Sequence, residues 1–281
     1  MIFLEKICDL HTHSNFSDGT LAPSEIIDLA IEAGLSAVAL CDHNTVDGLL
    51  EFLSAAEGKE IEAIPGAEFS VDYNGTELHL LGLYILPEHY GEISEMMLGF
   101  IRRKEESNIN LINALNKDGY MISYDEIKKK APNAKINRAH IAAELMSKGY
   151  IKSIGQAFEK LLAKNGGYYV EPKKISVWEM IDHLKSIGAV PVLAHPFLNL
   201  SEEQLLEFLP EAKKAGLVGM ECYYSLFDEK KTEKAIKIAD SFGLKRSGGS
   251  DFHGSNKPDI ILGFGKGNLK VPFECAVCLK P

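Results

Sequence analysis

Two histidines one residue apart, His11 and His13, follow the apolar run Ile7–Leu10, and Asp18 comes five residues later, in CDLHTHSNFSDGT. Imidazole nitrogens and carboxylate oxygens are the donor types that hold divalent first-row cations. The pairing recurs along the chain. Asp42 and His43 stand in ALCDHNT, Glu68 in GAEFS, His79 in ELHLLG, His195 in LAHP, and Asp251 with His253 in GGSDFHG. Taken singly, each is an ordinary polar residue at the end of an apolar run. Taken together, six of the nine histidines fall at or on such runs, and each run offers a histidine, a carboxylate or both. That concentration points to a shared metal centre.

The elements that must position these residues alternate between strand and helix. KICDLH, LSAVALCDH, IEAIPGAEFS, TELHLLGLYIL, AVPVLAHP, LVGMECYYS and LKRSGGSDFHG read as strands. SEIIDLAIEAG reads as a helix, with Ile26, Ile27, Ala30 and Ile31 on one face and Gly34 just past its end. Helix-separated strands imply parallel pairing with right-handed crossovers. About seven such units predict a closed or nearly closed α/β barrel. In a parallel barrel the carboxyl ends of the strands share one mouth, which is where chemistry collects. Residues i and i+2 of a strand face the same way, so His11 points with His13 and Asp251 with His253. Asp9 has the same parity one step deeper, and a carboxylate there is expected to hold a histidine ring by its second nitrogen.

One stretch breaks the alternation. Residues 98–168 are helical in pattern and charge-rich, with no strand-like run, and are expected to form a helical insertion domain. The barrel domain is then 1–97 and 169–281. The chain's length of 281 residues suits one large domain with an insertion. The formal net charge of −10 argues against broad attraction to nucleic acid and leaves room for an anionic substrate at a local patch of positive charge. No apolar run reaches the ~18 residues of a membrane span, and the start MIFLEKICDLH lacks the basic region and cleavage site of a signal peptide. A cytoplasmic protein with no obligate protein partner is expected. Of the five cysteines, Cys275 and Cys278 are close, in VPFECAVCLKP, which reads as a terminal strand with structural thiols.

DLHTHSNFSDGT, ALCDHNTVDGL, GAEFS, LHLLGLY, LAHP and GSDFHG resemble, in order, the motifs of the polymerase-and-histidinol-phosphatase (PHP) family, over residues 7–255. The resemblance implies a distorted (β/α)₇ TIM-like barrel with its metal site at the carboxyl ends of the strands. It is narrower with the small members that hydrolyse nucleotide phosphoesters, which carry a helical insertion and an NRxH-like segment, here NRAH at 137–140. In that subgroup nine ligands hold two to three divalent ions, Mn²⁺ first, Fe²⁺ or Zn²⁺ otherwise. By position these are His11, His13, Asp18, His43, Glu68, His79, His195, Asp251 and His253. Among them Asp251, His253 and His195 are expected to carry catalysis. Cys41 departs from the threonine-like residue relatives often show before the Asp-His pair, and is expected to pack as a small hydrophobe.

The resemblance therefore implies a metal-dependent phosphoric ester hydrolase acting on a small phosphorylated substrate. The substrate is a nucleoside 3′,5′-bisphosphate or the 5′ end of a short RNA, attacked by a metal-activated hydroxide. Arg138 is expected to fork onto a phosphate, with His140 and Lys173 as further phosphate contacts. Tyr168 or Tyr169 could stack on a base, although a core position suits a tyrosine better. A histidinol-phosphate phosphatase and a catalytically inert, metal-stabilised PHP scaffold are the competing readings. The first needs a pocket for a small cationic amine, and the second would have lost ligands that this chain retains.

Overall fold

The computed structural model describes residues 6–130, 136–163, 167–170, 172 and 174–281. Eight strands, β1 (Ile7–Thr12), β2 (Ala37–Leu40), β3 (Glu62–Tyr73), β4 (Thr76–Leu83), β5 (Val190–Leu193), β6 (Gly219–Tyr224), β7 (Lys245–Gly249) and β8 (Val271–Pro272), form one sheet. Its order is β7-β6-β5-β4-β3-β2-β1-β8. The helices are α1 (Pro23–Glu32), α2 (Leu49–Ala56), α3 (Tyr90–Lys117), α4 (Tyr124–Lys130), α5 (Arg138–Ser147), α6 (Ile154–Lys160), α7 (Val177–Ser186), α8 (Pro196–Asn199), α9 (Glu202–Ala215), α10 (Glu229–Ser241) and α11 (Glu274–Leu279).

The sheet curls into a nearly closed barrel. Beyond the end of β7 the chain returns to β1: Asp251 N–H donates to the His11 carbonyl at 2.8 Å, and His13 N–H to the Phe252 carbonyl at 2.9 Å. This closure needs a glycine. A Cβ on Gly249 would lie 2.4 Å from His11 Cβ and 2.5 Å from its nitrogen, which no side chain survives. The barrel interior is filled by Leu10, Ala39, Ile64, Leu81, Val192 and their neighbours, all buried. Cys41 is among them, fully buried, its thiol 3.5 Å from the Leu10 carbonyl, as a small hydrophobe would pack.

Two expectations need correction. Pairing is not parallel throughout, because β4 runs antiparallel to both β3 and β5. The cause is local. Asn74 and Gly75 both have positive φ, 51° and 83°, the backbone of a two-residue hairpin whose twist matches its strands. The consequence is functional, since reversing β4 brings its amino-terminal half, with His79, to the same end of the barrel as the carboxyl ends of the parallel strands. The second correction concerns the terminus. Only Val271 and Pro272 of the expected last strand are strand, and Cys275 and Cys278 lie on α11, the first buried and the second exposed.

The chain divides into two compact units, Met1–Glu95 with Ile175–Pro281, and Met96–Lys174. The first holds the barrel. The second has its own core, in which Leu111, Leu115, Ile141, Leu145 and Leu162 are buried. No helix among the described residues is long and apolar enough to cross a membrane.

Candidate metal centre

The nine side chains singled out above meet in one cluster, and Glu68 is its hub. Five imidazoles surround its buried carboxylate. His79 Nδ1 and His195 Nε2 approach Oε1 at 2.8 and 2.9 Å. His43 Nδ1, His11 Nε2 and His13 Nε2 approach Oε2 at 3.0, 3.3 and 3.4 Å. The other two carboxylates extend the cluster. Asp251 Oδ1 lies 3.2 Å from His13 Nε2 and 3.4 Å from His253 Nδ1. Asp18 Oδ1 lies 3.2 Å from His253 Nε2, and its Oδ2 is 3.7 Å from His43 Nε2.

Three overlapping sets within this cluster place one donor atom per residue close enough to share an ion. They are His13, Asp18, His43 and His253; His11, His13 and Glu68; and His43, Glu68 and His79. Each pair of sets shares one residue: His13, His43 or Glu68. The donors are nitrogen and oxygen only, which suits a first-row divalent ion. A second observation favours ions. Among the described residues, His11 Nε2, both ring nitrogens of His13 and His195 Nδ1 are buried without a hydrogen-bond partner. Buried polar atoms are normally paired, and an orphan costs ~1–3 kcal/mol, whereas bound cations would satisfy the lone pairs that face the cluster, such as those of His11 Nε2 and His13 Nε2 beside Glu68.

The cluster is electrostatically preloaded. Burial works against the charged form of Glu68, but the imidazoles of His11, His195 and His43 outweigh it and hold the carboxyl well below its usual range. Asp251 is held down in the same way, against burial, by His13 and His11, and Asp18 by His253 and His43. His13 is pushed down to about 3, chiefly by burial. His79 goes the other way: burial opposes its charge, yet contact with Glu68 and Glu77 raises it to about 9. Burial likewise opposes the charge of His11, yet Glu221 and Glu68 hold it well above the usual histidine range. Cation binding needs ionised carboxylates and neutral imidazoles, so His11 and His79 are where protons must leave.

Backbone strain marks the same positions. Asn44, His195 and Asp251 are non-glycine residues in the left-handed region, with φ of 52°, 27° and 56°. Each is a ligand candidate or adjoins one, and such strain is held where the surroundings fix a functional side chain. Asp251 and His253 lie past the end of β7, so their joint aim comes from this turn rather than from strand alternation.

The sequence reading misses Glu221, Tyr224 and Lys257, and the supporting roles of Asp9 and Asp42. Asp9 does not hold a ring. Its oxygens accept from Ser250 N–H at 2.8 Å, Ser250 Oγ at 2.5 Å and Gly263 N–H at 2.7 Å, so it fixes the turn before Asp251. The ring of His11 is held instead by Glu221 of β6, whose Oε1 is 2.9 Å from Nδ1 while Oε2 accepts the His195 backbone N–H at 2.6 Å. Asp42 accepts from Ser14 N–H at 2.8 Å, and from Ser14 Oγ and Ser17 Oγ at 2.5 Å each, pinning the loop that carries Asp18. Tyr224 Oη and Lys257 Nζ both donate to Asp251 Oδ2 at 2.7 Å.

The expected substrate contacts lie in the second unit. The Arg138 guanidinium stacks 4.2 Å from the centre of the Tyr169 ring and donates from Nη1 to the Leu162 carbonyl at 3.0 Å. His140 is engaged with Asn137 in the capping box that starts α5. Tyr168 donates to Asp118. Lys173 lies outside the described residues.

The PHP domain family profile matches residues 9–189, a span that takes in six of the nine clustered residues. The chain belongs to the PHP domain family. Among its PHP relatives, a 5′-3′ exoribonuclease of Haemophilus influenzae is 30% identical over 89% of this chain and 91% of its own. A 3′,5′-nucleoside bisphosphate phosphatase of Chromobacterium violaceum is 30% identical over 87% of this chain and 86% of its own. A solved structure of a candidate metal-dependent phosphoesterase from Bifidobacterium adolescentis superimposes with a TM-score of 0.70 at 27% identity, covering 98% of this chain and 95% of that one.

Proposed function

We propose that this PHP protein is a metal-dependent phosphoesterase that hydrolyses nucleotide phosphoesters, with a nucleoside 3′,5′-bisphosphate or the 5′-phosphorylated end of a short RNA as substrate. The observation that carries the proposal is the Glu68 hub, five imidazoles around one buried carboxylate with ring nitrogens left unpaired. The names of the two 30%-identical relatives support the substrate class. The nine residues His11, His13, Asp18, His43, Glu68, His79, His195, Asp251 and His253 would hold two to three divalent ions, Mn²⁺ first among them. When bound, such ions lower the pKa of water, neutralise phosphoryl oxygens and stabilise the leaving oxygen.

The chain's own residues prepare the site for that chemistry. Glu68 stays ionised inside the barrel because His11, His195 and His43 face it and outweigh its burial. Glu221 accepts the Nδ1 proton of His11 and so leaves the Nε2 lone pair toward the cluster. Asp9 and Asp42 fix the two loops that carry Asp251 and Asp18, which keeps the donor atoms in register before substrate arrives.

The test is turnover by Mn²⁺-reconstituted protein of a nucleoside 3′,5′-bisphosphate, a short 5′-phosphorylated RNA and histidinol phosphate, with bound metal measured in the same sample. Release of phosphate or mononucleotide from the first two, above the third, is expected. Metal-loaded protein that turns over neither nucleotide substrate refutes the proposal, and preference for histidinol phosphate moves it to the sister activity.

A further inference from the structure

The two oxygens of Asp251 are divided between two environments. Oδ1 faces the imidazoles, 3.2 Å from His13 Nε2 and 3.8 Å from His11 Nε2. Oδ2 faces away from them and takes two donors at 2.7 Å, the phenol of Tyr224 and the ammonium of Lys257. Two donors on one oxygen leave the other as the free donor for a cation, so Asp251 is set to give one oxygen to a metal and not two.

Lys257 and Tyr224 differ in how they are placed. Tyr224 is buried, with 3% of its surface exposed. The Lys257 side chain is 41% exposed and reaches Asp251 from the solvent side. Its mount is fixed: Ser255 N–H donates to Thr20 Oγ1 at 3.0 Å, and Asn256 Nδ2 to the Asp18 carbonyl at 2.8 Å. The short segment that ends in Lys257 is thus tied to the loop that carries Asp18. An ammonium has three N–H donors. One is spent on Oδ2, and the exposed side of the head group can present the others outward, at the lip of a cluster built to gather cations.

A lysine in that place has an electrostatic consequence. It adds repulsion toward any cation that Asp251 helps to hold, so a role confined to metal binding would favour an uncharged donor such as the phenol already present. Tyr224 alone satisfies Oδ2. What the ammonium adds is positive charge at the lip, aimed where an anion approaches the cluster. The protein's overall charge of −10 otherwise repels such an anion.

We infer that Lys257 is a substrate-binding residue: anchored on Asp251 Oδ2, it donates to a phosphoryl oxygen of the bound phosphate ester. This rests on the phosphoesterase reading above, deepens it, and makes Tyr224 the positioning residue of Asp251. Charge-assisted hydrogen bonds to phosphate are among the strong ones. Losing one in a partly exposed site corresponds to about tenfold to a hundredfold in phosphate affinity.

The experiment uses full-length protein, wild type, Lys257→Met, Lys257→Arg and Tyr224→Phe, each reconstituted with Mn²⁺. Two titrations are made by calorimetry: Mn²⁺ into metal-free protein, and inorganic phosphate into the Mn²⁺-loaded protein. For Lys257→Met the expected result is Mn²⁺ affinity unchanged or tighter, with phosphate binding weaker by about tenfold or more. Lys257→Arg keeps phosphate binding within a fewfold. Tyr224→Phe shows the converse, weaker Mn²⁺ binding. Phosphate affinity unchanged in Lys257→Met overturns the inference. So does a fall in Mn²⁺ affinity as large as the fall in phosphate affinity, which would make Lys257 a metal-site support, and so does wild-type protein that binds Mn²⁺ but no phosphate. Because inorganic phosphate is the probe, failure of nucleotide turnover with phosphate binding intact counts against the substrate assignment and leaves Lys257 in place.

Discussion

Replacing Glu221 by glutamine removes one charge from the centre of the barrel and keeps its shape. In the native protein both oxygens are committed: Oε1 accepts from His11 Nδ1 at 2.9 Å and Oε2 from the His195 backbone N–H at 2.6 Å. Glu221 is fully buried, so no water can substitute. A glutamine cannot accept on both sides. If its oxygen keeps the His195 N–H, its NH₂ faces His11 Nδ1, which must then be the unprotonated nitrogen. The proton moves to Nε2, where the lone pair would otherwise point at Glu68 and the cluster. If the amide is flipped, its NH₂ meets the His195 N–H and leaves a buried donor unpaired, at ~1–3 kcal/mol. Either way the metal-facing side of the site is impaired. Loss of a partner that orients a ligating histidine costs about tenfold to a hundredfold in metal affinity, or ~1.4–2.8 kcal/mol. The assay is calorimetric Mn²⁺ titration of Glu221→Gln, with nitrogen-15 shifts of the His11 ring to read the tautomer. Metal affinity within twofold of wild type, or a His11 ring still protonated at Nδ1, would refute the reasoning.

Asp251→Asn keeps the fold and loses at least about a hundredfold in kcat, as expected when a charged group aimed at the reacting centre is neutralised; a circular dichroism melt and steady-state kinetics check both parts, and wild-type-like turnover would remove Asp251 from the site. Metal uptake strengthens as pH rises from 7 to 9, because His79, raised to about 9 by Glu68 and Glu77 against its burial, holds a proton that the ion must displace. Proton release seen by calorimetry in two buffers tests this. In the metal-free protein the same raised pKa stabilises the fold below the ordinary histidine range, and that contribution is lost as pH rises through about 9, so its Tm falls over the interval in which metal affinity grows. A Mn²⁺ affinity that does not change with pH would contradict this role for His79. Arg138→Lys keeps the charge but loses the planar stack on Tyr169 and the bond to Leu162, and destabilises the helical unit by ~1 kcal/mol. Hydrogen exchange of α5 and α6 amides reads this, and unchanged exchange with a raised KM would instead support the phosphate-binding role expected for Arg138.

The donor set is legible in the sequence because metal chemistry restricts residue types and strand geometry restricts spacing. His11 lies on β1 with His13 just past its end, and His195 follows β5, so one mouth gathers them; Glu68 instead lies midway along β3, which runs on past the parallel strands into the β4 hairpin. The support is less legible, for physical reasons that differ by residue. Glu221 does leave a signal: a lone acid inside GMECYY, on a strand that should be buried, must have a partner. Asp9 has the parity of a ring partner, but its short side chain sits deep enough for backbone N–H groups to claim both oxygens. The reversal of β4 is also written in the sequence, as Asn74-Gly75 between two apolar runs, although counting helix-separated units passes over it. Cys275 and Cys278 suggest a strand because VPFECAVC is largely apolar, and a short apolar run does not distinguish strand from helix. Nothing in local sequence marks Lys257, whose partner Asp251 is brought to it by a turn.

If a cluster of cations sits around Glu68, an anomalous-difference map from a crystal soaked in Mn²⁺ will show it directly. At least two peaks are predicted, sharing Glu68, His13 or His43, each at ~2.0–2.3 Å from imidazole nitrogens and carboxylate oxygens of the nine residues. A map with no peak within reach of Glu68, in protein whose bound metal has been measured, would contradict the metal centre itself.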